Sequence, residues 1–362
     1  MQKTATISEV IDLFMENDLF NNKIDAYVIL SPENRFYFTH FNTSFGCVIV
    51  SPNEKIFITD FRYDAAAREK LPDFTVIITG YSDLYTIVAD TLKRLKAKHV
   101  GYEENYVTVA EFKLMKAALE GYTLKPASEA LERARAIKTE SELELIANAE
   151  NVTQKALAKV IPLIKVGMTE SELSAEIMFE MIRGGAQSLA FDNIVAFGEN
   201  SAKPHHQSGN KKLEKNDLIL IDIGAKVNGY CGDMTRTFTL GEPNPQLAEI
   251  YNVVFEAQSY ALKNIKAGMT CHEADSLARE YIVAHGYGNE FGHSLGHGLG
   301  INVHETPRVG KNSPQILEEN MVVSVEPGIY INGLGGVRIE DLVVVKKDGV
   351  MNLTPFEKKL NL

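Results

Sequence analysis

The stretch GHSLGHGLGINVHE, residues 292–305, sets His293, His297, His304 and Glu305 within fourteen positions of a chain that has nine histidines in all. Imidazoles at such spacing can ligate a divalent cation, move protons, or donate hydrogen bonds to a developing oxyanion. Four acids elsewhere match that chemistry. Asp222 stands inside LILIDIG and Glu326 inside VVSVEPG, apolar strand-like runs in which an unpaired charge costs on the order of several kcal/mol. Asp233, in YCGDMTRTF, comes after the turn KVNG, whose Asn228-Gly229 is a strong hairpin dipeptide; Glu340, in GGVRIEDLVVV, comes after YINGLGG.

Alternation along strands places Asp222 and Asp233 on one face of the first hairpin and nearly opposite each other, and the second hairpin repeats this with Glu326 and Glu340. Like charges this close repel unless a cation lies among them. Carboxylates with an imidazole, and no thiolate, suit manganese, cobalt, iron or zinc, and four carboxylates exceed the needs of one ion. A surface or Arg-paired acid accounts for any one of these positions but not for four matched ones. Asp341 falls on the opposite face, as a solvated or structural acid, and Cys231, on the Asp233 face, reads as small packing material.

The elements that carry these residues are duplicated. IKVGMTESE at 164–172 and IKAGMTCHE at 265–273 align at a shift of 101 residues. Each copy holds a capping box, Thr169 with Glu172 and Thr270 with Glu273, so a helix begins at each. Ala274, Leu277, Ala278, Tyr281 and Ile282 continue the second as an amphipathic stripe; Leu173, Ile177 and Met181 mark the first. A Gly-rich stretch and an apolar strand succeed each helix, at 217–224 and 320–328, which predicts two α/β halves related by pseudo-symmetry. Upstream, DAYVIL, GCVIV and KIFITDF read as strands set between turn-rich stretches such as SPEN and SPNE. FTVIIT and KHVGYE interleave with the helix-compatible YDAAAREKL, LYTIVADTLKRLKA and AEFKLMKAALEG, giving an α/β domain that ends near residue 127.

A length of 362 residues fits about two domains. With a formal charge of -11, the chain lacks the basic face that nucleic acid demands. No window approaches the apolar length of a membrane span, and Glu9, Asp12, Glu16 and Asp18 stand where a signal peptide needs an apolar core, so the sequence reads as cytoplasmic with no membrane partner. Three cysteines, Cys47, Cys231 and Cys271, odd in number and without paired spacing, support neither a disulfide framework nor a thiolate zinc site.

Four ordered motifs, DIGAKVNGYCGDMTRTF, FGHSLGHGLGINVHE, SVEPGIY and GGVRIED, resemble the pita-bread metallopeptidases, and within them the Xaa-Pro aminopeptidases and Xaa-Pro dipeptidases (prolidases), over nearly the full length. The resemblance implies an α/β (α+β) chain with a small N-terminal creatinase/prolidase-like domain, 1–127, and a pseudo-two-fold pita-bread catalytic domain, 128–362. It implies two divalent ions, manganese first and cobalt, zinc or iron as alternatives, bound by Asp222, Asp233, His297, Glu326 and Glu340. Such a pair of ions activates and orients a water for attack on a peptide carbonyl. The same resemblance implies that Glu326 is also the proton acceptor and that His293, His304 and His205 line the substrate side.

His205, in ENSAKPHHQSG, is succeeded by His206 where the family pattern usually has another continuation; position after Pro204 favours His205, with His206 as the alternative. Arg338 shares the Glu340 face and either neutralises a ligating carboxylate or makes an ordinary ion pair. The resemblance further implies a proline-containing peptide substrate and a homodimer, in which TDFRY at 59–63 is one candidate for closing the partner's pocket, a plain strand end being the alternative. The N-terminal domain argues against a methionine aminopeptidase, and the full ligand set argues against creatinase and against a non-catalytic peptide-binding relative.

Overall fold

The structure, a computed structural model, describes Phe14 and residues 24–362; Glu9, Asp12, Glu16 and Asp18 lie outside the described residues. The chain divides into two units between Arg135 and Ala136. The seam falls inside a helix, Ser128–Ala136, formed by the charged stretch beyond residue 127.

In the first unit, β1 (Ala26–Ile29), α1 (Pro32–Thr39), β2 (Cys47–Val50), β3 (Lys55–Thr59), α2 (Asp64–Lys70), β4 (Thr75–Ile78), α3 (Leu84–Arg94), β5 (His99–Tyr102), α4 (Val109–Ala118) and β6 (Thr123–Pro126) precede the seam helix α5 (Ser128–Ala136). The strands make one mixed sheet in the order β4-β3-β2-β1-β5-β6. SPEN is a helix start rather than a turn. Ser31 accepts the N–H of Asn34, and Pro32 occupies the first helical turn, where its missing N–H costs nothing. TDFRY ends β3 at Thr59 and continues as a 3-10 turn, Phe61–Tyr63, with Phe61 80% exposed.

The second unit repeats one plan. Helices α6 (Glu140–Val160) and α7 (Glu170–Arg183) lead to β7 (Ser188–Leu189), β8 (Ile194–Phe197), β9 (Leu218–Ile223), β10 (Ala225–Val227), β11 (Tyr230–Cys231) and β12 (Met234–Thr239). Helices α8 (Pro245–Asn264) and α9 (Cys271–Ala284) then lead to β13 (Gly296–Gly298), β14 (Glu305–Val309), β15 (Val322–Val325), β16 (Gly328–Ile331), β17 (Gly335–Arg338), β18 (Asp341–Lys346) and β19 (Gly349–Asn352). Both capping boxes of the repeat close reciprocally, and a third forms at Thr139 and Glu142 at the head of α6. Equivalent bridges, Thr169 to Lys212 and Thr270 to Ile316, tie each capped helix to the chain downstream of it.

The helical stripes bury as spaced. Leu173, Ile177 and Met181 enter a core with Val195, Ile219 and Ile221. Ala274, Ala278 and Ile282 enter a second core with Val323, Val325 and Val343. Burial of these side chains, about 1.5–3 kcal/mol for each large one, holds the helices against their sheets. Asn228 (φ 50°) and Gly229 (φ 82°) both adopt the left-handed conformation that a two-residue hairpin turn requires.

Each hairpin is interrupted at or close to its acids. Gly224 separates β9 from β10, and Gly232-Asp233 separates β11 from β12; a side chain on Gly224 would meet the Gly232 carbonyl oxygen at 2.2 Å. In the other half the breaks are Glu326-Pro327 and Ile339-Glu340. Asp222 stays within the β9 ladder, whereas Asp233, Glu326 and Glu340 stand in the breaks themselves. Among the described residues no helix is long and apolar enough to cross a membrane.

Candidate metal centre and active site

Asp222 lies opposite Thr235 in the β9–β12 ladder. Asp233 is therefore its diagonal neighbour on the same face, two residues from the directly opposed position. The second hairpin pairs Gly328 with Arg338 on one side of the break and Val325 with Asp341 on the other, so that register sets Glu326 across from Glu340. His297 comes from β13, whose neighbour β15 runs directly into Glu326. Backbone must approach closely here, since a Cβ on Gly296 would sit 1.9 Å from the Ser324 carbonyl oxygen.

These five side chains line one cavity of about 700 Å³. Asp233, His297 and Glu340 each offer a donor atom within 4.8 Å of the others, and His297 Nε2 is 3.3 Å from Glu326 Oε1. His297 Nδ1 faces its neighbour Gly298 O at 3.1 Å. With its proton there, the Nε2 lone pair points to the acids, as a ligating imidazole requires.

The electrostatics call for a cation. Burial, then repulsion from Glu340, Asp222 and Glu326, pushes Asp233 well above the carboxylate range, and burial with Glu326 and Asp222 does the same to Glu340. Burial likewise raises Asp222, against the pull of Arg338. Burial also works to raise Glu326, but when His297 carries a proton on Nε2 its hydrogen bond and charge outweigh burial and hold this carboxyl at about 2; a cation in the cluster would take the place of that proton. One oxygen each of Asp222 and Glu340 is buried without a hydrogen-bond partner. Unpartnered buried oxygens among mutually repelling acids, with one imidazole and no thiolate, fit a divalent cation.

Around this cluster lies a chain of polar contacts. Arg338 donates from Nη2 to Asp222 Oδ2 at 2.6 Å, from Nη1 to the Tyr330 hydroxyl at 2.7 Å, and from Nε to Thr235 Oγ1 at 3.1 Å. His293 Nδ1 lies 2.8 Å from Ser294 O, so in the neutral ring Nε2 accepts from the Tyr330 hydroxyl at 3.0 Å. Burial depresses His293, which favours that neutral ring. His304 stacks edge-on to His297 with ring centroids 4.3 Å apart, and desolvation pushes it down as well, joined by His297 whenever that ring is protonated.

His205 is exposed and lines the cavity, whereas His206 turns away to Glu170. Asp341 is fully buried, paired with Arg236 at 2.9 Å and Lys358 at 2.5 Å, so the solvated alternative is corrected: the face behind the hairpin is itself covered. Cys231 is buried, as packing requires.

Several contributors escaped sequence reasoning. Tyr330 lies in SVEPGIY, two residues beyond the glycine after the Glu-Pro break, but only the hairpin register shows that it meets Arg338. Ser324 accepts the His297 N–H at 3.0 Å and donates to Glu326 Oε1 at 3.1 Å. Glu150, buried in α6 and raised to about 8 by burial, accepts the Asp233 N–H at 2.9 Å from a distance of 83 positions in sequence.

Comparison with known proteins agrees with this geometry. The Metallopeptidase family M24 profile matches residues 144–347 and the Creatinase/Prolidase N-terminal domain profile matches 17–137. An uncharacterized peptidase of Bacillus subtilis is 42% identical over 93% of this chain and 95% of its own. A solved Xaa-Pro dipeptidase from Bacillus anthracis superposes with a TM-score of 0.94 at 38% identity, covering 99% of this chain and 100% of that one. A solved X-Pro aminopeptidase from Thermotoga maritima gives 0.89 at 38% identity, covering 94% and 98%. The chain belongs to metallopeptidase family M24 and is a metallopeptidase of the pita-bread Xaa-Pro branch, with a creatinase-like domain ahead of its catalytic unit.

Proposed function

We propose that the protein is an exopeptidase that hydrolyses Xaa-Pro bonds, using two divalent cations, manganese foremost, held by Asp222, Asp233, His297, Glu326 and Glu340. The observation that carries this reading is the convergence of these five donors, two with unpartnered buried oxygens, in one cavity. When bound, the cations supply Lewis-acid polarisation and bring a water's pKa toward neutrality.

The chain's own residues do the rest. Glu326, beside His297 in the cavity, accepts a proton from the attacking water and returns it to the departing proline nitrogen, which has no proton of its own. Arg338 fixes Asp222 through one oxygen and leaves the other free to ligate. His293, with the Tyr330 hydroxyl, and His304 form the polar wall that meets the scissile amide; His205 stands on the substrate side. Phe191, Ile194 and Val303 add an apolar wall suited to a pyrrolidine ring. The names of the two solved relatives support both a dipeptidase and an aminopeptidase.

We further propose a homodimer in the cytoplasm, whose reducing conditions suit three buried thiols outside any disulfide. The deciding experiment compares hydrolysis of Xaa-Pro and Xaa-Pro-Xaa peptides after chelation and after Mn²⁺ is restored. Mn²⁺-dependent cleavage before proline is expected. Peptide binding that needs no metal and leads to no hydrolysis would overturn the reading.

A further inference from the structure

Glu170 is fully buried in the first turn of α7, yet the cap of that helix does not need it. Thr169 and Glu172 already close the capping box. Its oxygens accept instead from the N–H of Phe197 at 2.9 Å, Asn200 Nδ2 at 2.9 Å, His206 Nε2 at 2.9 Å and the N–H of Gly209 at 3.0 Å. One carboxylate thus ties both ends and the middle of the segment 197–209. That segment carries His205 to the cavity.

The second half reaches the same end with other residues. Position 271, which aligns with Glu170, is Cys271. Asp275, deeper in α9, accepts the N–H of Leu295 at 2.9 Å and grips Arg279, which donates to the carbonyls of Phe291 at 3.0 Å and His293 at 2.7 Å. A bond inherited merely as part of the duplicated fold would recur at the aligned position. Here the task recurs, holding a histidine-bearing loop against a capped helix, while the residue that performs it does not.

We infer that Glu170 is the positioning residue of His205, acting through His206 and the backbone of the 197–209 segment. The inference rests on the proposed substrate-side role of His205. Four donors on one buried carboxylate leave this loop few alternative conformations, and displacements of about 1 Å at a reacting centre can cost on the order of 100-fold in rate.

The test is a mutant cycle on the Mn²⁺-loaded full-length protein, with kcat and KM for an Xaa-Pro dipeptide and bound manganese measured by mass spectrometry. Glu170→Gln and His206→Ala are expected to lower kcat about tenfold with manganese content unchanged. His206→Gln, whose amide can still donate to Glu170, should recover most of the rate. In a His205→Ala background Glu170→Gln should add no further loss. Glu172→Ala, which removes only the cap, should lower Tm and leave kcat alone. Equal losses from Glu170→Gln with and without His205, or wild-type kcat in both Glu170→Gln and His206→Ala, overturn the inference alone. A wild-type rate in His205→Ala overturns the role of His205 and the inference with it. Should Glu170→Gln fail to fold, the same cycle is run with His206→Ala, a change at a half-buried loop residue.

Discussion

Arg338 and Asp222 meet at 2.6 Å across the duplicated catalytic unit, a buried guanidinium on one half holding a carboxylate of the other. The contact engages Oδ2 and leaves Oδ1 without a partner. The remaining nitrogens of the fork reach Tyr330 and Thr235, so three separate elements are fixed by one side chain.

Arg338→Lys is therefore expected to behave as a loss rather than a conservative change, because an ammonium cannot reproduce a three-way planar fork. Removing one partner of a buried charge pair costs about 3–5 kcal/mol, and a loss of that order should appear as a large drop in Tm for Arg338→Met. Turnover should fall in both variants. Wild-type kcat in Arg338→Lys would show that Asp222 needs only a nearby charge.

His297→Ala and His293→Ala should separate by metal content. Loss of His297 removes a donor from the clustered Asp233–His297–Glu340 site and should weaken Mn²⁺ binding by more than the roughly 10–100-fold that loss of an outer hydrogen-bond partner costs. His293 touches Tyr330 and Ser294, and its removal should leave manganese bound while turnover falls. Stripping of the metal by His293→Ala would reverse this division of roles.

Gly296→Ala probes the close backbone approach that delivers His297. Its Cβ would lie 1.9 Å from the Ser324 carbonyl oxygen, so strand β13 must shift, at a cost of about 1–3 kcal/mol. Tm and manganese affinity should both fall. Gly349→Ala, where no atom lies within 4 Å, serves as the comparison and should leave Tm within a degree or so, about the ±0.5 kcal/mol scale of surface changes.

Glu170 sets an acid limit on stability. Burial works to raise its pKa, but hydrogen bonds from His206, Asn200 and the N–H groups of Phe197 and Gly209 outweigh it and leave the carboxyl below its ordinary value. A depressed carboxyl binds its proton more weakly folded than unfolded. Its contribution is therefore present above the unfolded pKa, about 4.3, and is lost as pH falls through the lower folded value. Tm of the wild type and of Glu170→Gln, measured from pH 7 downward, should differ most near neutrality and converge in acid. A gap that widens toward acid would contradict the direction of the shift.

Much of the fold was legible because it depends on near neighbours. Capping boxes at Thr169 and Thr270, the Asn228-Gly229 turn, and the stripes from Leu173 and Ala274 arise from spacing within a few residues. The duplication made four strand acids stand out together. SPEN departs from the expected turn because Ser-Pro-Glu serves a turn and a helix start equally well, and the residues after Pro32 decide between them.

By itself, then, the sequence determined the paired hairpins, the duplicated helices and the types of donor that face inward, since alternation and capping are local rules. Tertiary structure decided what no local rule reaches. It turned His206 toward Glu170 and left His205 at the cavity, buried Asp341 against Arg236 and Lys358, and brought Tyr330 between His293 and Arg338. Those outcomes depend on which distant groups share a desolvated space, where an unpaired charge or donor is costly and each must find its partner.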